Sequence, residues 1–324
     1  MRVRRLAPVL LAGSIGTAGC APVYNFVDPT GPRYAGGRYQ PRLGENPGGA
    51  RYVGTAATAP GTAPRLRVVT FNIRYAREIE RAIALLERAP LREADILTLQ
   101  EMDARGVERI ADALGMAYVY YPAAALPTRN KDFGNAVLVR GTIEDDRKVL
   151  LPHAGRFGGM RRIAVGVTAN LAGRQVRVYS AHLGTPKDIS DGARRAQVAA
   201  IAADARGSGL PVIVAGDFNN RGGVARAFTE AGFGWVTRGV GRTISVFSWD
   251  HVFVRGFDAA MGMRSGAVRS NGASDHRAVW VELPLPRKLE AAEIAMLAPA
   301  SLLESAVALS AVSTARPAAR LPIR

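Results

Sequence analysis

The chain has 324 residues, 43 Lys+Arg against 27 Asp+Glu for a net charge of +16, 48% hydrophobic residues and a single cysteine. One cysteine excludes a disulfide framework, so the fold must rest on its core, and ends that differ in composition from the middle argue for one globular unit with appendages, not two domains. Within 65–286 there are 31 Lys+Arg and 22 Asp+Glu; such a basic surface favours polyanionic partners such as nucleic acid or anionic lipid headgroups, although an excess made almost wholly of arginine also fits a mere compositional bias.

Residues 1–20 read as an export signal: Arg2, Arg4 and Arg5, an apolar run from Leu6, then Gly16, Thr17, Ala18 and Gly19 before Cys20. The small-small-Cys ending is similar to a bacterial lipoprotein cleavage site, which makes Cys20 the candidate lipidated residue and the periplasmic face of a membrane the expected location. Thr17, where an aliphatic residue is usual, keeps ordinary cleavage and release open. The apolar run is shorter than the roughly 20 residues a lasting span needs. Residues 21–64 are dense in Gly, Pro, Ala and Thr without apolar periodicity, and read as a disordered tether.

From Leu66 strands and helices alternate. LRVVTFNI reads as a buried strand, Ile79, Ile83 and Leu86 share a helical face, and ADILTLQE is a second buried strand. Val107, Ile110 and Leu114 mark a helix ended by Gly115. AYVYY and GNAVLVR follow as strands, and RIAVGVTANL with RQVRVYSAHL forms a hairpin turned at Ala172-Gly173. Ala193 to Arg206 is a helix, PVIVAGDF a strand, Val224 to Ala231 a helix, and DHVFV and AVWVEL the closing strands. Hairpins mixed with crossovers imply an α/β (α+β) unit over 65–286, two mixed sheets packed together with helices outside. The Ala/Leu/Ser-rich tail 287–324 carries no organised pattern beyond an amphipathic stretch at 289–297.

The polar residues at the strand ends suit phosphate ester hydrolysis, which needs a cation on the phosphate, an activated water, donors for developing charge and an acid for the departing oxygen. Asn72 and Glu101 close the first two strands, and a carbonyl oxygen with one carboxylate is a minimal Mg²⁺ set, because Mg²⁺ retains waters and takes phosphate oxygens; either alone also reads as a turn cap. In GDFNN, Asp217 is placed to orient or deprotonate water and Asn219 to donate to developing charge, with an Asx-turn as the structural alternative. His276 needs a carboxylate to fix its tautomer, and Asp250 on the adjacent strand can supply one. His182 also sits at a strand end, whereas His251 inside DHVFV reads as structural and His153 as solvated. Arg161 and Arg162 read as a phosphate-holding pair or simply an exposed one, and Ile244, Val246, Phe247 and Trp249 as a lipid-contacting loop or ordinary strand packing.

Taken in order, TFNI, LQE, GNAVLVR, SAHL, GDFNN, DHVFV and SDHRAV resemble the endonuclease/exonuclease/phosphatase superfamily. The resemblance implies a four-layer α/β sandwich, Asn72 and Glu101 as metal-binding positions for Mg²⁺ or Mn²⁺ with Asp275 as a further contact, and Asp217 with Asn219 as the water-activating and transition-state-binding pair. It further implies a His276/Asp250 dyad, His182 as a phosphate-contacting or acid histidine, and Asn135 lining the substrate site. Val139 and the Arg74-Tyr75 segment depart from the pattern of small bacterial members. The implied activity is that of a monomeric phosphoesterase acting on nucleic acid or phospholipid headgroups. The competing reading is a catalytically silent envelope lipoprotein that uses the fold as a binding module.

Overall fold

Period-two alternation decides which layer each strand residue faces. The computed structural model describes residues 23–37, 65–126, 129–219 and 222–286; the export signal with Cys20, residues 38–64 and the tail from 287 lie outside the described residues. The strands are β1 (Tyr24–Asn25), β2 (Tyr34–Gly36), β3 (Arg65–Asn72), β4 (Ile96–Met102), β5 (Ala117–Leu126), β6 (Lys131–Val139), β7 (Thr142–Leu150), β8 (Ile163–Leu171), β9 (Arg174–His182), β10 (Val212–Asp217), β11 (Gly234–Trp235), β12 (Asp250–Arg255), β13 (Arg264–Val268) and β14 (Ala278–Pro284). The helices are α1 (Ile79–Leu86), α2 (Ala104–Leu114), α3 (Asp191–Arg206) and α4 (Gly223–Glu230). Among the described residues, no helix is long and apolar enough to cross a membrane.

One sheet runs β1-β5-β6-β4-β3-β14-β13, with β2 also on β5, and the other runs β11-β12-β10-β9-β8-β7. Leu66 and Val68 of β3, Val176 and Val178 of β9, and Ile213 and Ala215 of β10 fill the space between the sheets. The alternate residues face outward: Val69 and Phe71 meet α1 and α2, while Val212, Val214 and Phe253 meet Val198 and Ile201 of α3 and Phe228 of α4. These are the four layers of an α/β sandwich. Each sheet is antiparallel except for one central pair, β3 with β4 and β9 with β10. Parallel neighbours end on the same side, so the C-termini of four strands meet at one edge of the sandwich.

The tether expectation is corrected for residues 23–37. β1 and β2 pair with β5, and the segment crosses to the edge of the other sheet. There Lys148 Nζ on β7 donates to Phe26 O (3.1 Å) and Gly31 O (2.6 Å), and the Arg33 guanidinium grips Asp146 through two 2.7 Å hydrogen bonds. The low apolar content hid this strap because its bonds are to backbone and charge. β7 was also missed: TIEDDRKVL is a polar edge strand lacking apolar alternation. A chain starting at Arg38 is expected to melt at least about 5 °C below one starting at Ala21, because losing the strap leaves Lys148 without its acceptors and β5 as an open edge. Equal melting curves would mean that the segment is only a tether.

Candidate active site

Continuing the alternation inward past the apolar residues leads directly to polar ones. Thr70 and Asn72 follow Leu66 and Val68; Ser180 and His182 follow Val176 and Val178; Asp217 follows Ile213 and Ala215; Asp250 precedes Val252 on β12. Registers place Asp217 opposite both His182 and Asp250. Beneath them a buried polar layer joins the sheets: Gln100 Nε2 donates to Ser180 Oγ (3.1 Å), which donates to Leu99 O (3.0 Å). Gly216 lets the strands close up, since a Cβ there would overlap the Ala181 carbonyl oxygen.

Glu101 breaks the alternation, which would send it outward with Leu97 and Leu99. The register between β4 and β6 shifts between Leu99 and Met102, and Glu101 adopts φ 59°. This bulge re-aims its carboxylate into the site. There Oε1 accepts from Asn72 Nδ2 (3.3 Å) and Oε2 from the Tyr75 backbone N–H (3.1 Å). Burial pushes the Glu101 carboxyl up, partly offset by Arg162 and His276.

Asp217 is the hub. Its Oδ2 accepts from Asn72 Nδ2 at 3.0 Å and lies 3.4 Å from His182 Nε2 and 3.8 Å from His276 Nε2; its Oδ1 accepts from the Asn219 backbone N–H at 3.0 Å. Burial pushes its pKa up to about 7, with Asp250 and Glu101 adding to the shift and His276 opposing it. The Asp217 side chain therefore makes an Asx-turn, closed by the N–H of Asn219 in a left-handed conformation (φ 46°). The Asn219 side chain donates one amide hydrogen to Leu183 O (3.0 Å); an amide has a second.

His276 Nδ1 lies 2.8 and 3.0 Å from the two Asp250 oxygens, and both residues are buried. Burial works against the imidazolium, yet the Asp250 carboxylate, helped by Asp217 and Asp275, outweighs it and pushes the His276 pKa up to about 10. His182 is the opposite case: burial, then Arg162 and His276, hold it well below the usual histidine range. Arg162 Nη1 lies 3.1 Å from His182 Nδ1. A guanidinium only donates, so Nδ1 accepts, and the neutral ring carries its proton on Nε2, facing Asp217.

Other expectations meet different outcomes. Asp275 is exposed and pairs with Arg74 Nε at 3.4 Å, and its charge acts on both Glu101 and His276. Asn135 donates its amide to Ile163 O (2.9 Å) and Ser180 O (3.3 Å), which fastens β6 to β8 and β9 where substrate contact was expected. Arg162 is buried over the Phe133 ring while Arg161 is exposed. His251 faces outward on β12, held by Thr237 and Ser248, and is structural. Unforeseen was Ser274, whose hydroxyl donates to Asn72 O (2.7 Å) and accepts from the His276 N–H (3.1 Å). A hydroxyl beside Asp275-His276 was the available signal.

Asp217, Asp250 and His276 each offer a ligand atom within 4.8 Å of the others, a grouping able to hold a metal ion. A His276 ring held protonated has no lone pair for a cation, however, which favours the Glu101 carboxylate; Asn72 beside it turns its amide N–H groups to Glu101 and Asp217 while its Oδ1 accepts from the Arg74 N–H, so its oxygen would face a cation only with the amide turned over. Buried carboxyl groups short of positive charge, pushed up as Glu101 and Asp217 are, suit a hard divalent ion.

Comparisons with known proteins agree with this geometry. A family model described as the Endonuclease/Exonuclease/phosphatase family matches residues 69–276. No curated protein matches the chain. Among solved structures, an endonuclease/exonuclease/phosphatase from Beutenbergia cavernae is similar with a TM-score of 0.56 and 22% identity, over 69% of this chain and 72% of that one. D. rerio TDP2 complexed with a single-strand DNA product is similar at 0.56 and 17%, over 68% and 98%. The human Nocturnin catalytic domain with bound sulfate is similar at 0.55 and 18%, over 68% and 94%. At these identities the structures testify to the fold, and the match over residues 69–276 to the family. The chain belongs to the endonuclease/exonuclease/phosphatase family of metal-dependent hydrolases acting on phosphate ester bonds.

Proposed function

We propose that this chain is an exported, envelope-tethered phosphodiesterase that acts as a monomer with Mg²⁺ or Mn²⁺. The observation that carries the reading is the convergence of Asn72, Glu101, Asp217 and the Asp250/His276 dyad from both sheets on one buried point. Glu101, joined by Asn72 once its amide oxygen is turned to the site, would hold the cation, which would supply neutralisation of the phosphate charge. Asp217 orients the attacking water and takes its proton, a task matched to a carboxyl near neutrality. The His276 imidazolium, fixed by Asp250, donates from Nε2 to the phosphate or departing oxygen. His182, by its Nε2 proton, and the second amide hydrogen of Asn219 receive charge developing on the phosphoryl oxygens. Export and the anchor at Cys20 rest on the leader pattern alone.

The substrate follows from a side-by-side assay of plasmid DNA, phosphatidylglycerol vesicles, sphingomyelin and mononucleotides with Mg²⁺, using the chain from Ala21. Diesters are expected to be cut at least about 100-fold faster than mononucleotides. Preferential release of phosphate from mononucleotides would contradict the diesterase assignment.

A further inference from the structure

Among the described residues, four of the seven large apolar side chains that stand exposed lie at the edge that carries the active site. Val246 is 73% exposed, Tyr24 66%, Phe157 59% and Phe247 38%. Topology places all four at the catalytic edge. Tyr24 pairs with Ala125 near the end of β5, Phe157 lies in the loop that leads into β8, and Val246 and Phe247 lie in the loop that leads into Asp250. In the strand order β12-β10-β9-β8, the loop before β12 and the loop before β8 flank the strands bearing Asp217 and His182. At roughly 4.8 Å per strand their bases are about 15 Å apart, one on each side of the mouth.

These are built projections. The 244–247 turn is closed by Phe247 N to Ile244 O (2.8 Å) and Ile244 N to Phe247 O (3.1 Å), and Ile244 bridges to His276. The Phe247 ring stacks on Trp249 at 4.9 Å. The turn thus leaves Ile244 half-buried and presents Val246 outward. On the other flank, Asn25 Nδ2 donates to Gly159 O (3.0 Å) and Asn25 Oδ1 accepts from the Arg161 N–H (2.8 Å), which fastens the strap to the loop bearing Phe157.

Charge accompanies the apolar groups. Beside the 244–247 turn a cavity of about 420 Å³ is lined by Arg242, Arg269 and Arg277 with Asp275 as its acidic member, and Arg161 is exposed on the opposite flank. The chain also enters the domain here: β1 starts at the catalytic edge and β2 leads away from it along β5. Cys20 precedes Tyr24 by four residues, a reach of at most about 14 Å.

We infer that the catalytic edge docks on an anionic phospholipid bilayer, Tyr24 and Phe157 entering it on one flank of the mouth and Val246 and Phe247 on the other, which makes bilayer phosphodiester headgroups the substrate class. This rests on the phosphodiesterase reading above. Apolar side chains at a rim suit an interface in which both hydrocarbon and headgroup phosphate are within reach; the rings alone would also serve base stacking, but Val246, the most exposed of the four, offers no face to a base.

The test uses the chain from Ala21, which lacks the anchor and keeps every described residue, and a Phe157→Ser/Val246→Ser variant. Sedimentation with phosphatidylglycerol vesicles is expected to fall at least about tenfold in the variant, and headgroup release from those vesicles to fall with it. Hydrolysis of soluble bis-(p-nitrophenyl) phosphate should stay within about twofold, which also certifies the fold. Equal sedimentation of both proteins, no sedimentation of either, or retention on duplex DNA but not on vesicles would overturn docking. A wild-type protein that binds vesicles but leaves the soluble diester intact would instead refute the hydrolase reading and leave docking standing.

Discussion

Asp217→Asn is expected to lower diester hydrolysis by at least about 10³-fold while making the metal-free protein more stable above neutral pH. The loss follows because the amide cannot take a proton from water, a contribution of roughly 10²–10⁴ for a positioned base, and because a hub touching Asn72, His182 and Asn219 is altered. The gain follows from linkage. Burial raises this carboxyl from 3.8 to about 7, so the folded state holds its proton more tightly than the unfolded state. Stability from that proton is complete below about pH 4 and is lost as pH rises through about 7. Above that point the native protein carries a buried charge that asparagine removes, worth on the order of 4 kcal/mol for the full shift. Melting curves at pH 4.5 and 8, without metal, should show the variant's advantage growing with pH. A variant destabilised at both values would make Asp217 a structural residue.

The second large effect belongs to the Asp250/His276 dyad. His276→Gln should abolish turnover, and Asp250→Asn should reduce kcat by about 10²–10⁴-fold, because the ring then loses the acceptor that fixes its tautomer and holds its charge. The pH profile separates this from mere damage. With the imidazolium persisting to about 10, wild-type activity should decline only as pH rises through about 10. In Asp250→Asn, burial is opposed by less negative charge, so the alkaline limb should move down toward neutrality. The double variant should be no worse than His276→Gln alone, since the two residues act as a unit. Unchanged alkaline limbs would remove His276 from proton donation.

Much of this site was legible from residues because alternation is a strict geometric rule. Asn72, His182, Asp217 and Asp250 each continue a run of inward apolar residues, so their convergence follows once two sheets are inferred. His251 was separable from Asp250 for the same reason: adjacent strand residues face opposite layers. Glu101 was identified by its place at a strand end and by its motif, not by alternation, since its orientation depends on a bulge that no pattern in ILTLQEM announces. Asp275 was singled out by its place next to His276; its carboxylate pairs with Arg74 and its charge reaches Glu101 and His276, which leaves the expected metal contact to be tested. Asn135 was placed at the site by the family pattern, which does not reveal that its amide nitrogen donates to Ile163 and Ser180. The strap over residues 23–37 was missed because its attachment is made by backbone pairing, Lys148 and Asp146, none of which leaves a hydrophobic period to read.

The most direct test of the account is the rate of bis-(p-nitrophenyl) phosphate hydrolysis by the chain from Ala21 in Mg²⁺, in Mn²⁺ and after EDTA, measured beside Glu101→Ala. The account predicts turnover with either ion, loss of at least about 10³-fold on chelation with recovery when metal is returned, and a variant that stays inactive at metal concentrations saturating for the wild type. Hydrolysis that persists in EDTA, or a Glu101→Ala protein as active as the wild type, would contradict it.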